Sequence, residues 1–314
     1  MKKNIIFVFI SFLSVVFLYG ADKVYTLNTD GIKKFKIETI YSDLVYNSSD
    51  YENFVINYVS LENEYPDFSY KKDFNLFSVK ESFKKTGTLS FLKNFIVREN
   101  QEYIEWNGTG TYTVNSSPNA EDLVYITKNG NFKGENINFT GQFNIFSENG
   151  DVSAENIKSN KILLNVDRGK VDFKSIKTNT ETIVEKDKGD FYVINYIEAG
   201  KKLSVKIKEG SAVLYNLSAD NIYIEIESGN VIVSAINFVN LEIRLKKGNI
   251  NLSLNSENTH IKADASQKIF MFDDEYVNSA DIGDGYKNVK LITQKGFINV
   301  EEYRANPYNK AEIN

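Results

Sequence analysis

Few side chains in this sequence are of the types that perform chemistry. His260 is the only histidine and cysteine is absent, so zinc sites and Ser-His or Cys-His catalysis lack their parts. His260 lies in the stretch NTHIKAD, and we interpret it as a surface histidine or one whose hydrogen bonds are partly satisfied. Trp106 is the only tryptophan; its ring could stack on a sugar, but a lone tryptophan more often packs against its own protein. These residues predict no catalytic site.

The densest group of acidic residues lies in the segment FDDEYVNSADIGDG. Oxygen-rich loops can hold Ca²⁺, but this segment has neither the spacing of an EF-hand nor a nine-residue glycine-aspartate repeat. We therefore predict a solvated loop, and we predict no metal site and no cofactor for the chain. The acidic side chains are Asp273, Asp274, Glu275, Asp281 and Asp284.

The N-terminal stretch, MKKNIIFVFISFLSVVFLYG, has two lysines, an uncharged apolar run and then small residues. We predict that residues 1–20 are a secretory signal peptide and that the mature chain begins near Ala21. The alternative is an uncleaved membrane anchor, but a spanning helix needs about 20 apolar residues and the run, residues 5–19, is shorter. The prediction places the protein in the periplasm, at the cell surface or in the medium, with no membrane span after cleavage.

The composition describes a globular, exported chain of β-structure. The chain has 314 residues, 42% of them hydrophobic and 25% charged, which is enough to bury a large core in one or two domains. The formal net charge of −5 becomes −7 when Lys2 and Lys3 leave with the signal peptide, and no long run of lysine or arginine follows. We therefore predict no nucleic-acid partner. Frequent β-branched, aromatic, glycine and asparagine residues predict an all-β fold.

A glycine returns every 19 to 21 residues along most of the chain, as in the stretch IEIESGNVIV. Apolar residues lie three, five and seven positions before it and two and four positions after it. This period of two predicts two short strands, each with one buried face. A further buried anchor is predicted seven positions after the glycine, for example at Leu217 and Ile236. The glycines are Gly130, Gly150, Gly169, Gly189, Gly210, Gly229 and Gly248, with Gly296 in the last repeat.

Each of these glycines is predicted to be a structural turn residue. Dipeptides such as Asn-Gly and Ser-Gly suit a turn with positive φ, which glycine adopts without a steric penalty. A phosphate-binding loop would need clustered glycines before a helix, whereas each repeat has one glycine between strands.

Two architectures fit the repeat. In an antiparallel meander each glycine closes a hairpin, whereas in a β-solenoid Ile224 lies beside Val205 and Ile243 in parallel strands of neighbouring rungs. The two arms are unequal, and a hairpin would place Glu148 opposite Asp151, so both features favour the solenoid. Stacking also predicts ladders of alternating charge, one of Lys206, Glu225 and Arg244 and another of Lys208, Glu227 and Lys246.

Residues 123–301, with their alternating strand, x-G-[DN]-[VI] turn and second strand, resemble a bacterial candidate-adhesin β-strand-repeat family of unknown function, related to the head GIN domain proteins. The stretch FKIETIYSDLVYN resembles the family's first rung, and VKLITQKGFINVE resembles its last. The resemblance implies a single-stranded, right-handed parallel β-helix in the bacterial envelope. It implies no catalytic residues, because the shared motif consists of turns and core positions.

The predicted organisation has four parts, two of which contain a departure from the repeat. They are a signal peptide of residues 1–20; an N-terminal β region of residues 21–121, with the first rung and an irregular insertion at about 60–105; a regular solenoid of residues 122–303, with an irregular segment at 254–288; and a tail of residues 304–314.

The predicted function is that of an exported, non-enzymatic envelope protein. Its flank would bind another envelope protein, a glycan or further copies of the chain, or serve as a scaffold. The alternative is a carbohydrate-active β-helix enzyme, a lyase or hydrolase, which needs paired carboxylates, or a base with Ca²⁺, in a groove.

Overall fold

The computed structural model describes residues 21–49, 52–60, 65–82, 108–117 and 120–303. The predicted signal peptide, the predicted tail and Trp106 lie outside the described residues. All regular elements of the described part are β-strands, which join in one 24-stranded sheet, and no helix there is long and apolar enough to cross a membrane. The strands are β1 (Ala21–Asn28), β2 (Lys34–Thr39), β3 (Asp43–Ser48), β4 (Asn53–Ser60), β5 (Asp67–Asp73), β6 (Leu76–Ser82), β7 (Gly108–Ser116), β8 (Asp122–Asn129), β9 (Phe132–Glu135), β10 (Gln142–Asn149), β11 (Val152–Glu155), β12 (Ile157–Arg168), β13 (Val171–Lys188), β14 (Phe191–Ala199), β15 (Lys202–Glu209), β16 (Ala212–Ser218), β17 (Asn221–Ser228), β18 (Val231–Asn237), β19 (Asn240–Lys247), β20 (Ile250–Leu254), β21 (Thr259–Met271), β22 (Asp274–Ile282), β23 (Lys287–Thr293) and β24 (Ile298–Glu302).

The repeat folds as a β-solenoid. Strands before successive glycines pair in parallel, and Ile224 has Val205 as its partner on one side and Ile243 on the other. The solenoid prediction is confirmed, and the hairpin interpretation is wrong. Parallel neighbours need a long connection, which the second strand of each rung supplies. We call the sheet of strands before the glycines face A and the sheet of strands after them face B.

The interior is a continuous apolar core between the two faces. Alternate residues of the strands in the regular rungs point inward, as the period-two pattern predicts. On face A, for example, Leu203, Val205 and Ile207 are all buried. On face B, Val231 and Val233 are buried in the same way. Since the chain has no disulfide, burial and backbone hydrogen bonds hold the rungs together.

One predicted core residue lies outside the core. Ile236 was expected to point inward, but its side chain is 47% exposed. Ala235 takes the inward place and pairs with Leu217, because the register between β16 and β18 shifts before that pair. The rung that contains Gly229 therefore reaches this position one residue earlier than the rung that contains Gly210.

The N-terminal region is more regular than its sequence predicts. Strands β2 and β3 form the rung recognised in FKIETIYSDLVYN, but they are not outermost: β6 and β7 stack outside them, and β8 and β9 stack inside. The segment expected to be an irregular insertion thus contains a hairpin, β5–β6, whose second strand continues face A. Strands β4 and β1 extend face B beyond β7 by antiparallel pairing.

The C-terminal region has a similar arrangement. The segment expected to be irregular, residues 254–288, forms the long strand β21 and its antiparallel partner β22. Strands β23 and β24 pair with β19 and β20 on one side and with β21 on the other. The rung predicted to be last is therefore enclosed by residues that precede it in the chain. Both ends of the solenoid carry antiparallel strands, which the repeat does not predict.

Candidate functional site

His260 lies on the outer surface near the C-terminal end. Its Nε2 atom is 2.7 Å from Oδ1 of Asp281, and Nζ of Lys262 is 3.5 Å from Oδ2 of the same carboxylate. The hydrogen bond with His260 holds the pKa of Asp281 below its usual value. Within the described residues no serine or threonine hydroxyl bonds the imidazole ring. Lys262 and Asp281 form an exposed ion pair that connects β21 with β22, and His260 hydrogen-bonds the same carboxylate.

The acidic segment forms a hairpin turn and a strand rather than the predicted solvated loop. Asp274 begins β22, Glu275 pairs with Lys268 across the hairpin at 2.7 Å, and Asp281 pairs with His260. Because these carboxylates are spread along an extended strand, they do not converge. No group of three or more side chains suited to a metal ion occurs in the described part of the chain.

The turn glycines form a column in which each contacts the next. A β-carbon on Gly229 would lie 1.8 Å from the carbonyl oxygen of Gly210, and one on Gly248 would lie 1.6 Å from that of Gly229. Gly229 has a φ of 152°. At Gly130 and Gly296 φ is not positive, so the predicted positive φ is wrong there; a β-carbon would still collide with main-chain oxygen.

A second column lies beside the glycines, one residue later in most rungs; Lys170, after Gly169, interrupts it. Its side-chain oxygens accept the backbone N–H of the equivalent residue in the next rung, as when Oδ1 of Asn230 accepts from Asn249 at 2.9 Å. This column was missed from sequence, although the recurring Asp or Asn after the glycine was its signal. The acceptors are Asp43, Asn131, Asp151, Asp190, Ser211, Asn230 and Asn249.

Lys186 is a buried lysine in a core column. Its register partners are Val166 and Ile207, and its Nζ donates a 2.6 Å hydrogen bond to the carbonyl oxygen of Gly169. Burial lowers the pKa of Lys186 to about 8, while Asp151 and Asp190 partly oppose the shift. An ammonium group therefore replaces a branched apolar side chain at this corner.

Glu81 is a buried acid at the N-terminal end of the stack, where it bonds the corner between β2 and β3. Its buried carboxylate accepts the backbone N–H groups of Ile40 at 2.6 Å and Tyr41 at 3.0 Å, and also the hydroxyl of Ser42. Tyr58 and Tyr112 surround the same carboxylate, and burial followed by the charge of Glu81 raises the pKa of both phenols. The carboxylate replaces the main-chain acceptors that a further rung would supply.

The outer charges follow the predicted ladders only in part. Lys246 pairs with Glu227 at 2.9 Å, as predicted for neighbouring rungs. Lys208 pairs with Asp187 in the preceding rung at 2.6 Å instead. The other predicted ladder does not form as ion pairs, because Arg244 binds Glu242 within its own strand at 2.6 Å. An acidic residue two positions away in the same strand, Glu242, thus binds Arg244 in place of the partner that was predicted in the neighbouring rung.

Face B carries outward apolar residues in three successive rungs. Tyr192, Val213 and Ile232 are partners in register, and Ile194 lies beside them. Ile194 is 46% exposed and Ile232 is 39% exposed. We call these four residues the apolar strip. Lys170 lies at its margin, with its Nζ 4.7 Å from the centre of the Tyr192 ring.

The family model for Toastrack DUF4097 matches residues 32–301, which is most of the chain. The chain belongs to the Toastrack DUF4097 family. The match agrees with the β-strand-repeat resemblance seen in the sequence and with the solenoid. The match starts just before β2 and ends within β24. It therefore includes the rung of β2 and β3 and the rung of β23 and β24, each of which lies between strands that are not its neighbours in the chain.

Several solved structures are similar to this Toastrack chain. A candidate adhesin from Parabacteroides merdae has a TM-score of 0.40 at 13% identity, covering 91% of this chain and 97% of the other. A candidate adhesin from Bacteroides fragilis has a TM-score of 0.39 at 11% identity, covering 90% and 97%. A candidate lipid binding protein from Parabacteroides distasonis has a TM-score of 0.38 at 14% identity, covering 90% and 97%. Scores this low carry no argument about function, and no curated protein matches the chain.

Replacing Gly229 with alanine should show that the glycine contact is structural. We expect a loss of at least about 2 kcal/mol in the free energy of unfolding, because strained φ and overlap with Gly210 act together. Gly31→Ala is the control: Gly31 has a φ of 74° but no atom within 4 Å of an added β-carbon. Urea titration of both variants measures the difference. Equal losses would contradict a role for the glycine-to-glycine contact.

Lys186 should make stability depend on pH. The folded pKa of about 8 lies below the ordinary value of 10.5, so the folded state binds fewer protons between these pH values. Stability should therefore rise with pH across that window, by up to about 3 kcal/mol. Lys186→Met should be more stable than the native chain at pH 7 and should lack this rise. Parallel urea titrations at pH 7, 9 and 10.5 compare the two chains; parallel curves would show that the lysine is not buried in solution.

Proposed function

We propose that this Toastrack chain is an exported, non-enzymatic protein of the bacterial cell envelope. Its solenoid flank binds another envelope protein, a glycan or further copies of the chain, in an adhesin-like or scaffold role. The observation that supports binding most directly is the apolar strip on face B. The signal-peptide pattern of residues 1–20 supports export.

The apolar strip lies between polar residues of its own column. The residues in register before Tyr192 are Ser153 and Asp172, and the residue after Ile232 is Asn251. Single exposed apolar residues are ordinary on protein surfaces, but an aligned group with a charged margin is typical of an interaction site. The strip therefore marks the part of the flank that we assign to partner binding.

Stacking also explains how the flank presents the strip. Equivalent residues of neighbouring rungs are about 4.8 Å apart, and their backbones are fixed by parallel hydrogen bonds. The four side chains consequently lie on a rigid sheet rather than on a loop. Because the surface is already ordered, binding a partner would cost this chain little free energy for ordering it.

The alternative of a carbohydrate-active enzyme finds less support on face A. A shallow groove there is lined by five acids, Asp167, Glu185, Asp187, Glu225 and Glu227. Lys206 lies between Glu185 and Glu225 in register and Lys208 pairs with Asp187 at 2.6 Å, so lysines separate or neutralise the paired carboxylates that glycoside hydrolysis needs. We therefore propose a binding role for the chain and no catalytic one.

A capture experiment with a matched pair of variants tests the strip. Ile232→Lys places a charge in the strip, whereas Asn251→Lys places the same charge one rung further along the same column. We expect native chain and Asn251→Lys to retain the same partners from envelope extracts, and Ile232→Lys to lose them. Thermal unfolding should show that both variants remain folded. Equal capture by the two variants would contradict the assignment of the strip.

Export has its own test. Mass spectrometry of the N-terminus of protein from the envelope fraction should find a chain that begins near Ala21. A membrane-embedded species that retains Met1 would contradict cleavage, and exclusive recovery from the cytoplasm would contradict export.

A further inference from the structure

A second groove on face A lies near the C-terminal end of the solenoid. Its volume is about 470 Å³, within the range of sites that bind small molecules. Two columns of side chains form it, and because buried residues alternate with them along each strand, both columns lie on the outer side. We call it the C-terminal groove. Its first column is Asn240, Asn288 and His260, and its second is Glu242, Lys290, Lys262 and Asp281.

The first column holds polar side chains in fixed positions and leaves two of their atoms without a partner. The side-chain amide of Asn288 donates to Oδ1 of Asn240 at 3.3 Å and to the carbonyl of Tyr286 at 3.2 Å, but its own Oδ1 accepts no hydrogen bond from the described residues. The bond between Nε2 of His260 and Asp281 orients the imidazole, and Nδ1 has no partner in the described part of the chain. Both atoms are therefore positioned to bond a ligand.

The second column contains paired rather than free charges. Nζ of Lys290 is 3.6 Å from Oε1 of Glu242. Nζ of Lys262 is 3.5 Å from Oδ2 of Asp281. Arg244, beside the groove, also binds Glu242 at 2.6 Å. Two lysines thus balance two carboxylates in the column, so it favours neither an anion nor a cation. The N–H groups and lone pairs that these ion pairs do not use can bond a neutral ligand rich in hydroxyl groups.

Tyr286 adds an exposed aromatic ring next to the first column. It directly precedes β23, and its side chain is 68% exposed. Lys287 points the other way, with its Nζ 5.8 Å from the centre of the buried Phe238 ring, so Tyr286 and Asn288 share the outer side of the chain. The apolar face of a sugar can pack on such a ring while the sugar hydroxyls bond polar neighbours.

We propose that the C-terminal groove binds a neutral glycan, with one sugar packed on Tyr286 and its hydroxyls bonded to Asn288 and His260. A neutral sugar presents donors and acceptors at short intervals, as the two columns do, and it brings no charge that an excess of lysine or carboxylate would have to neutralise. The assignment gives a ligand class to the proposed binding role of the flank, on which it rests, but it does not use the apolar strip.

The spacing of the two carboxylates indicates binding without cleavage. Glu242 and Asp281 are separated by β23 and β21, so their backbones are three strand spacings, or about 14 Å, apart. Paired carboxylates that cleave a glycosidic bond lie closer together than about 10 Å. A glycan in the groove would therefore stay intact.

A glycan array tests the ligand class. The purified chain is applied to immobilised oligosaccharides of known structure, some neutral and some acidic, and the strongest neutral binder is then titrated by calorimetry. We expect binding to neutral oligosaccharides, with a Kd that changes by less than about twofold between about 0.05 and 0.5 M NaCl, because binding neutralises no charge.

Variants locate the bound sugar. Tyr286→Ala should raise the Kd at least about tenfold, because the packing surface is lost, whereas Tyr286→Trp keeps a ring and should bind as the native chain does. His260→Ala should weaken binding to a similar extent, because a positioned acceptor is lost. The control is Phe74→Ala: Phe74 is 97% exposed in the turn between β5 and β6, at the other end of the solenoid, so the Kd should not change. Thermal unfolding should show that all variants remain folded.

Three outcomes would overturn the proposal: no neutral oligosaccharide is bound, Tyr286→Ala binds as tightly as the native chain, or only acidic oligosaccharides are bound and high salt releases them. The last would mean that the lysines of the groove bind an anion. Ile232→Lys separates this site from the proposed function, because it should lose envelope partners and keep its binding to the array. Each assignment can therefore fail while the other stands.

Discussion

The stack of rungs depends on the contact between consecutive turn glycines. The carbonyl oxygen of one glycine occupies the place that a β-carbon on the next would need, so the rungs approach closely at one corner only if that column has no side chains. The polar column beside it uses the same closeness, since a short Asp, Asn or Ser side chain reaches the backbone of the next rung. Once the corner fixes the register, alternate apolar residues of both faces stack on their equivalents.

A periodic stack leaves unpaired strand edges at its two ends, and this protein covers them with non-periodic structure. At the N-terminal end, the carboxylate of Glu81 accepts the N–H groups of the Ile40–Tyr41 corner, while antiparallel strands extend the sheet. At the C-terminal end, β22 pairs with β21 in the opposite direction. The edges of the regular rungs are thus paired within the chain, and among the described strands the outermost edges lie on β1, β5 and β22.

The regular part of the fold was predictable because its two signals reinforce each other. The period of two assigned Val205 and Ile224 to the core, and the constant interval between glycines made them neighbours. The ends were not predictable, because their strands stack out of chain order and follow no interval. Ile236 was misassigned because a one-residue shift in register is invisible in the spacing. Lys186 breaks the apolar pattern, but only the structure shows its ammonium group at the carbonyl of Gly169.

The candidate surfaces were harder to predict than the core. In the sequence, Ile232 and Ile194 cannot be distinguished from the many other apolar residues of their strands. Only the strand register shows that they lie on the same outer face as Tyr192. The absence of cysteine and the single histidine were, by contrast, direct constraints on the chemistry available to the chain.

The enclosure of β23 and β24 between earlier strands has a consequence for biogenesis. A growing or translocating chain presents its residues from the N-terminus onward, yet the place between β20 and β21 stays empty until residues 287–303 arrive. Strand β21 meets the regular rungs only through β23 and β24, so the rungs cannot all be completed in chain order. A chain that stopped before residue 287 would leave β19, β20 and β21 without their parallel partners, and exposed strand edges of this kind promote pairing with other chains.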